Sequence, residues 1–213
     1  MRYAKPLLFL TLLSPAVVLA GRAATGALGV NPIETVTHDT GTLALVCLLG
    51  SLAVTPLRRI TGWSRVIAVR RMTGLFAFFY AVLHLLTYVV LDQFFDWPSI
   101  AGDLTKRPFI IAGATSFALM APLAATSTAG WIRRLGGRNW RRLHWLAYPA
   151  AIAAVTHFWW LVKADVSEPR RYAIVLGALL ALRAWWAWRG RAHRGRHEDP
   201  RPGEGLRGRL QSG

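Results

Sequence analysis

An all-α fold, a six-helix transmembrane bundle with a disordered basic C-terminal tail, is what the sequence predicts. Three observations carry this. More than half of the 213 residues are apolar, 54%, and they come in long blocks rather than at amphipathic spacing. Basic residues gather in every second segment between those blocks. After Trp188 the composition turns abruptly to Arg, Gly, Pro, His and Glu. The expected organisation is a transmembrane domain over 1–188 and a cytoplasmic tail over 189–213.

The blocks are Leu7–Ala20, Thr42–Leu57, Thr73–Leu91, Phe109–Ala125, Leu143–Val162 and Tyr172–Trp188. Each approaches the roughly 20 residues that span a bilayer core as a helix. Lipid offers no partners to backbone N–H and C=O groups, so apolar spans of this kind form helices. The first block follows a basic start and ends in Val18-Leu19-Ala20, a signal-peptide pattern. We read it as a retained helix, because five further hydrophobic segments follow; Pro15 and Arg22 weaken it. The second helix is expected after Gly41, stopping at Pro56-Leu57-Arg58-Arg59, and the third from Thr73 to about Leu91. An outer loop over Asp92–Arg107 precedes Pro108, which opens the fourth helix at a favourable first-turn position. An inner loop over Thr126–Arg142 contains Gly130, Gly136 and Gly137. The fifth helix is expected from Arg142 to Lys163, and Pro169 precedes the sixth. From Gly190 onward the expectation is disorder. No internal repeat is visible.

The formal charge of +16 at first suggests nucleic acid, but its distribution is a topology signal. With the N-terminus inside, the inner segments hold Arg2 and Lys5, then Arg58, Arg59, Arg65, Arg70 and Arg71. They also hold Arg133, Arg134, Arg138, Arg141 and Arg142, and the arginines from Arg189 onward. Most acids, including Asp92, Asp96 and Asp103, fall outside. This asymmetry orients the chain with both termini cytoplasmic, in contact with membrane lipid and not with nucleic acid. Trp63, Trp131, Trp140 and Trp145 on the inner side, and Trp97, Trp159 and Trp160 on the outer, fit an aromatic belt. Trp185, Trp186 and Trp188 end the last helix on the inner side, where Arg183 can snorkel. Cys47 is the lone cysteine. An intrachain disulfide, a cysteine metal set and covalent haem attachment are therefore excluded.

Ionisable side chains in membrane helices are costly, and each is a functional hypothesis. His84 and His157 lie on different helices, each about 10 Å below the outer surface at 1.5 Å per residue. Imidazoles at one depth on two helices suit axial ligation of haem b. With both axial positions filled, the iron passes electrons rather than binding substrate. The same two residues also suit plain interhelical hydrogen bonding. His144 is 13 residues before His157, about 20 Å along the axis and turned by about 140° on an ideal helix; Pro149 between them can change that angle. His144 is placed near the inner interface, within reach of a second haem, a quinone or a flavin. His38 is placed in the outer loop, as a solvated residue or a gate or quinone contact, and His193 and His197 in the tail. Met72 and Met120 read as core packing rather than iron ligands.

Several segments resemble the MsrQ/YedZ family, the haem-binding membrane subunits of a bacterial periplasmic protein-methionine-sulfoxide reductase system. They are Arg70-Arg71-Met72-Thr73-Gly74-Leu75-Phe76-Ala77-Phe78-Phe79-Tyr80-Ala81-Val82-Leu83-His84, Lys106-Arg107-Pro108, Leu123-Ala124-Ala125-Thr126-Ser127, and Trp140-Arg141-Arg142-Leu143-His144 leading to Tyr148 and His157. Gly29-x-Asn31-Pro32 and Lys163-x-Asp165 match as well. The resemblance covers about residues 1–188. It implies an inner-membrane subunit that passes electrons to a periplasmic molybdopterin-containing subunit, which reduces methionine sulfoxide and so repairs oxidised proteins. It implies haem b and FMN as cofactors, and a quinone or a cytosolic flavin reductase as donor. By resemblance His84, His144 and His157 are the haem-linked histidines. Related oxidases carry two histidines on each of two helices; here the third helix has only His84, with Arg70 and Arg71 near the inner position. One haem is expected, with the inner site left open. Arg70, Arg71, Arg141 and Arg142 suit propionates or a flavin phosphate, since arginine forks match such anions; as positive-inside residues they fit equally well.

The rival class is a non-redox membrane scaffold or assembly factor with structural histidines. An intramembrane enzyme is disfavoured, because the chain lacks a Gly-x-Ser-x-Gly elbow and a His-Glu-x-x-His pair. Any catalytic sulfoxide reduction belongs to the partner subunit. The chain also lacks a Gly-rich dinucleotide motif, so electrons must come from a separate donor.

Overall fold

The computed structural model describes residues 3–62, 67–162 and 165–197. Arg2, Trp63, Arg65, Lys163 and the tail beyond residue 197 lie outside the described residues, as do the side chains of His193 and His197. The chain divides into two compact units, 1–176 and 177–213. Among the described residues every regular element is a helix, and there is no strand.

The first unit opens with α1, Ala4–Ala24, and α2, Pro32–Thr61. Helix α2 starts earlier than the apolar block implies. Asn31 caps it by accepting from the Glu34 N–H, Glu34 accepts from the Asn31 amide in return, and Pro32 occupies the first turn. This reciprocal cap explains the Gly29-x-Asn31-Pro32 segment and adds two and a half turns before Gly41. Pro56 lies inside the helix rather than ending it. Termination falls to Gly62, whose φ of 70° is the left-handed cap that glycine adopts without strain.

Helix α3, Ile67–Leu86, continues as a π-helical segment, Thr87–Asp92. The expected outer loop contains α4, Trp97–Lys106, capped by Asp96. Its Asp103 is buried, accepting from the Tyr88 hydroxyl at 2.9 Å and pairing with Arg107 at 3.1 Å. Asp103 is thus an internal strut, while Asp92 and Asp96 of the same expected outer loop are exposed. Helix α5 is Pro108–Ala125.

The expected inner loop is also helical: α6, Ala129–Leu143, broken at Gly136, where φ is 71° and ψ 149°. Only a residue without a β-carbon takes that backbone conformation cheaply. The apolar block that follows is not one helix. His144–Leu146 form a 3₁₀ turn, and α7 runs Ala147–Leu161. Pro149 in its first turn has no N–H to continue the preceding ladder, so the break falls just before it. Helix α8, Ser167–His197, passes the composition change at Trp188 and continues nine residues beyond it. The helix continues through the arginines of this segment although Gly190 and Gly195 disfavour it, so the disorder expected from Gly190 is not matched over 190–197.

Among the described residues, four helices are long and apolar enough to cross a bilayer: Lys5–Ala24, Pro32–Thr61, Val69–Asp92 and Pro108–Ala125. The chain is a multi-pass membrane protein. The six expected crossings are not matched in the same form. Helix α7 has 15 residues, about 22 Å at 1.5 Å per residue, and α8 carries Arg183 and three tryptophans within its apolar block.

Helices α2, α3, α5 and α7 form a four-membered ring. Helix α2 packs on α3, and α5 on α7. The circuit closes through α2 with α7 and α3 with α5, which puts α3 and α7 on a diagonal. Helix α1 leans on this ring from outside. The fully buried Tyr80 of α3 donates to the Leu12 carbonyl of α1 at 2.6 Å. Small residues let the paired backbones approach, as membrane interfaces require. Ala150 and Ala151 are fully buried, and Ser116 of α5 donates across to the Ala150 carbonyl at 2.9 Å. Phe78 and Phe117 stack at 5.3 Å between α3 and α5.

Candidate cofactor site

His84 projects from α3 and His157 from α7, the two diagonal helices. Their ring centroids are 6.0 Å apart and their planes cross at 81°. Each ring is held by a helix that neighbours its own. His84 Nδ1 lies 2.9 Å from the Thr37 carbonyl of α2, and His157 Nδ1 lies 2.7 Å from the Phe109 carbonyl of α5. A carbonyl oxygen can only accept, so Nδ1 carries the proton in both rings. Nε2 is then an unprotonated lone-pair nitrogen, the state in which imidazole binds metals. Hydrogen bonding at one ring nitrogen to orient the other is the usual second layer of a metal-ligating histidine. Two neutral imidazoles in one depth layer, each with one nitrogen committed and one free, can hold a metal centre between them.

The two halves are built alike. The hydrogen-bonded pairs span 47 and 48 positions of sequence. In each, a helix supplies a first-turn or second-turn carbonyl to a histidine of the helix packed against it. Both histidines are therefore held by the same local arrangement.

The remaining candidates fall elsewhere. His144 sits in the 3₁₀ turn, not on α7, so the ideal-helix angle to His157 does not apply. Its Nδ1 donates to the Trp140 carbonyl at 3.0 Å, and the Trp140 ring stacks on it at 3.8 Å. The Trp140 indole in turn donates to the Thr126 carbonyl at 3.0 Å. The Trp140-to-His144 segment is therefore a ring stack tied to the end of α5. Arg70, half-buried near the start of α3, is close enough for its charge to act on His144. Arg71, Arg141 and Arg142 are exposed. Met120 is buried beside Ser116, as packing requires.

His38 belongs to α2 rather than to a loop. It lies 3.7 Å from Asp39 and 3.8 Å from Glu168, while Arg22 approaches Asp39 at 3.9 Å. Arg22, His38 and Asp39 edge a cleft of about 310 Å³ whose apolar wall includes Pro15, Val18, Leu19 and Leu43. Asp165 accepts from the Ser167 N–H at 2.9 Å, which holds its carboxyl below the usual carboxylate range and caps α8.

Sequence reasoning missed Thr37 and Phe109. Their contribution is a main-chain oxygen, which no side-chain pattern reports.

Fold and site together define a multi-pass helical membrane protein with a pair of inward-facing histidines on diagonal helices. Residues 40–155, which include His84 and His144, match the family described as the ferric reductase like transmembrane component. Close relatives share this chain over nearly its whole length. The protein-methionine-sulfoxide reductase heme-binding subunit MsrQ of Rhodospirillum rubrum is 51% identical over 82% of this chain and 84% of its own. The protein of the same name from Ralstonia nicotianae is 48% identical, covering 85% of each chain. That from Herminiimonas arsenicoxydans is 45% identical over 88% of this chain and 87% of its own. The chain belongs to the MsrQ family of ferric-reductase-like membrane proteins. No solved structure matches it.

Proposed function

We propose that this protein is a haem b electron-transfer subunit of the bacterial inner membrane, serving a periplasmic methionine-sulfoxide reductase. The observation that carries the reading is the His84–His157 pair. A metal held between the two imidazole nitrogens at about 2 Å from each would set the ring centres about 6 Å apart. The observed separation is 6.0 Å. Among the described residues no group of three or more histidine, cysteine or acidic side chains could hold a metal. A porphyrin, which brings four equatorial nitrogens of its own, suits a site with two protein ligands.

When bound, haem supplies a one-electron carrier with no open coordination position. The chain does the rest. His84 and His157 present Nε2, Thr37 and Phe109 fix the tautomer, and the α2–α3–α5–α7 ring keeps water from the centre. The depth of the pair favours electron exit at the outer face, towards a molybdopterin-containing partner. In this reading the chain crosses six times, with both termini cytoplasmic. Helix α7 and the first part of α8 supply the last two crossings. The donor is a quinone or a cytosolic flavin reductase. One haem is assigned. His144, with Arg70 nearby, is the candidate for an inner haem, and FMN remains an expectation from family resemblance.

The test is a dithionite-reduced-minus-oxidised spectrum of purified, monodisperse protein, with haem quantified per chain. A split-band b-type spectrum at one haem per chain is expected. A well-folded protein that takes up no haem would overturn the reading and leave the scaffold alternative.

A further inference from the structure

Gly41 and Gly113 are two glycines inside long helices, where glycine is less favourable than alanine. Neither has a turn to make. What distinguishes them is what they face. A β-carbon placed on Gly41 would fall 2.9 Å from His84 Nδ1 and 3.0 Å from its Cε1. A β-carbon on Gly113 would fall 2.9 Å from His157 Nδ1 and 3.1 Å from its Cε1. Carbon and nitrogen make ordinary contact at about 3.5 Å and beyond, so neither position accommodates a methyl group with the ring in place. Other helical glycines of the first unit lack this crowding: Gly74 would meet only Ser51 Cβ at 3.9 Å, and Gly21 and Gly102 would meet nothing within 4 Å.

The register is the same in both halves. Thr37 stands one helical turn before Gly41, and Phe109 one turn before Gly113. In each case the Nδ1–Cε1 edge of the imidazole comes close over the bare glycine, with Nδ1 within reach of the carbonyl one turn earlier, at 2.9 and 2.7 Å. A side chain there would lift the ring off that carbonyl.

We infer that Gly41 and Gly113 are paired positioning residues. Each is a bare seat on which one imidazole rests, and the seat sets the ring plane and forces the Nδ1-protonated tautomer. The 81° crossing of the two planes follows from two seats on two different helices. The inference rests on the haem reading only for its spectroscopic half; the seating itself is a property of the protein alone.

The test therefore has two arms. The first uses haem-free protein and thermal unfolding in detergent. Gly41→Ala should destabilise the wild-type background and be neutral or stabilising in a His84→Ala background, because the clash partner is gone. The same cycle is expected for Gly113→Ala with His157→Ala. Coupling in both cycles supports the seats, and additivity in either overturns them. The second arm uses haem-loaded protein and low-temperature EPR. Near-perpendicular axial planes give a strongly anisotropic low-spin ferric signal. Gly41→Ala and Gly113→Ala should each move that signal or convert the centre to high spin, with Gly74→Ala as the unmoved control. Unchanged spectra in both glycine variants would overturn the positioning role. A wild-type protein without haem would refute the haem reading and leave the first arm to judge the seats.

Discussion

The imidazole of His84 stands 6.0 Å from that of His157, almost at right angles to it, although the two belong to helices that do not pack as neighbours. The rings meet because each leans away from its own helix onto the carbonyl of the adjacent one. This places four helices, rather than two, in control of the pair.

In the proposed pairing, removing either ring would leave one axial ligand. His84→Ala and His157→Ala should each abolish the low-spin haem spectrum of the outer site, while His144→Ala keeps it. Absorption and haem content of the three purified variants, compared side by side, check this. Normal low-spin haem in either of the first two variants would refute the pairing.

Tyr80→Phe removes one buried hydrogen bond and nothing else. The Leu12 carbonyl loses its 2.6 Å donor, and a net loss of about 1 kcal/mol is expected. The thermal midpoint in detergent should fall modestly with haem content unchanged, because α1 lies outside the four-helix ring. A loss of haem would show that α1 helps to form the site.

Ala150 is fully buried where α7 meets α5. Ala150→Leu should force the two helices apart at a cost of about 1–3 kcal/mol. Moving α5 displaces the Phe109 carbonyl, so the EPR signal should shift together with stability. Ala147→Leu, one turn earlier at a half-buried position, should perturb both less.

The outer acids can be separated by role. Asp103→Asn leaves one acceptor oxygen where Tyr88 and Arg107 use two, and removes the charge that pairs with Arg107; it should lower stability by about 1–3 kcal/mol. Asp92→Asn with Asp96→Ser removes exposed charge while keeping an oxygen to cap α4. The double variant should slow electron delivery to the partner reductase and flatten its salt dependence. Unaltered rates across ionic strength would count against docking on this face.

Much of this was legible in one dimension. Long apolar blocks can only be helices in lipid, and the positions of His84 and His157 along their helices fixed a common depth. Helices α4 and α6 were not legible, since short polar helices at a membrane surface resemble loops when Gly, Pro and charge interrupt them. The fifth apolar block read as one helix because hydropathy reports burial and not the missing N–H of Pro149. The like seating of the two histidines is invisible in the sequence because it resides in a glycine and a carbonyl, amid unrelated neighbours.

Composition, charge asymmetry and histidine depth by themselves determined a multi-pass helical membrane protein with a candidate metal-binding pair. They did so because the cost of polar groups in lipid acts locally, residue by residue. Only the tertiary structure decided that α3 and α7 share a diagonal, that Nδ1 of each ring is committed to the backbone of a neighbouring helix, and that Gly41 and Gly113 lie beneath the rings. Those relations depend on how helices pack, and helix packing is settled by contacts between residues more than 40 positions apart.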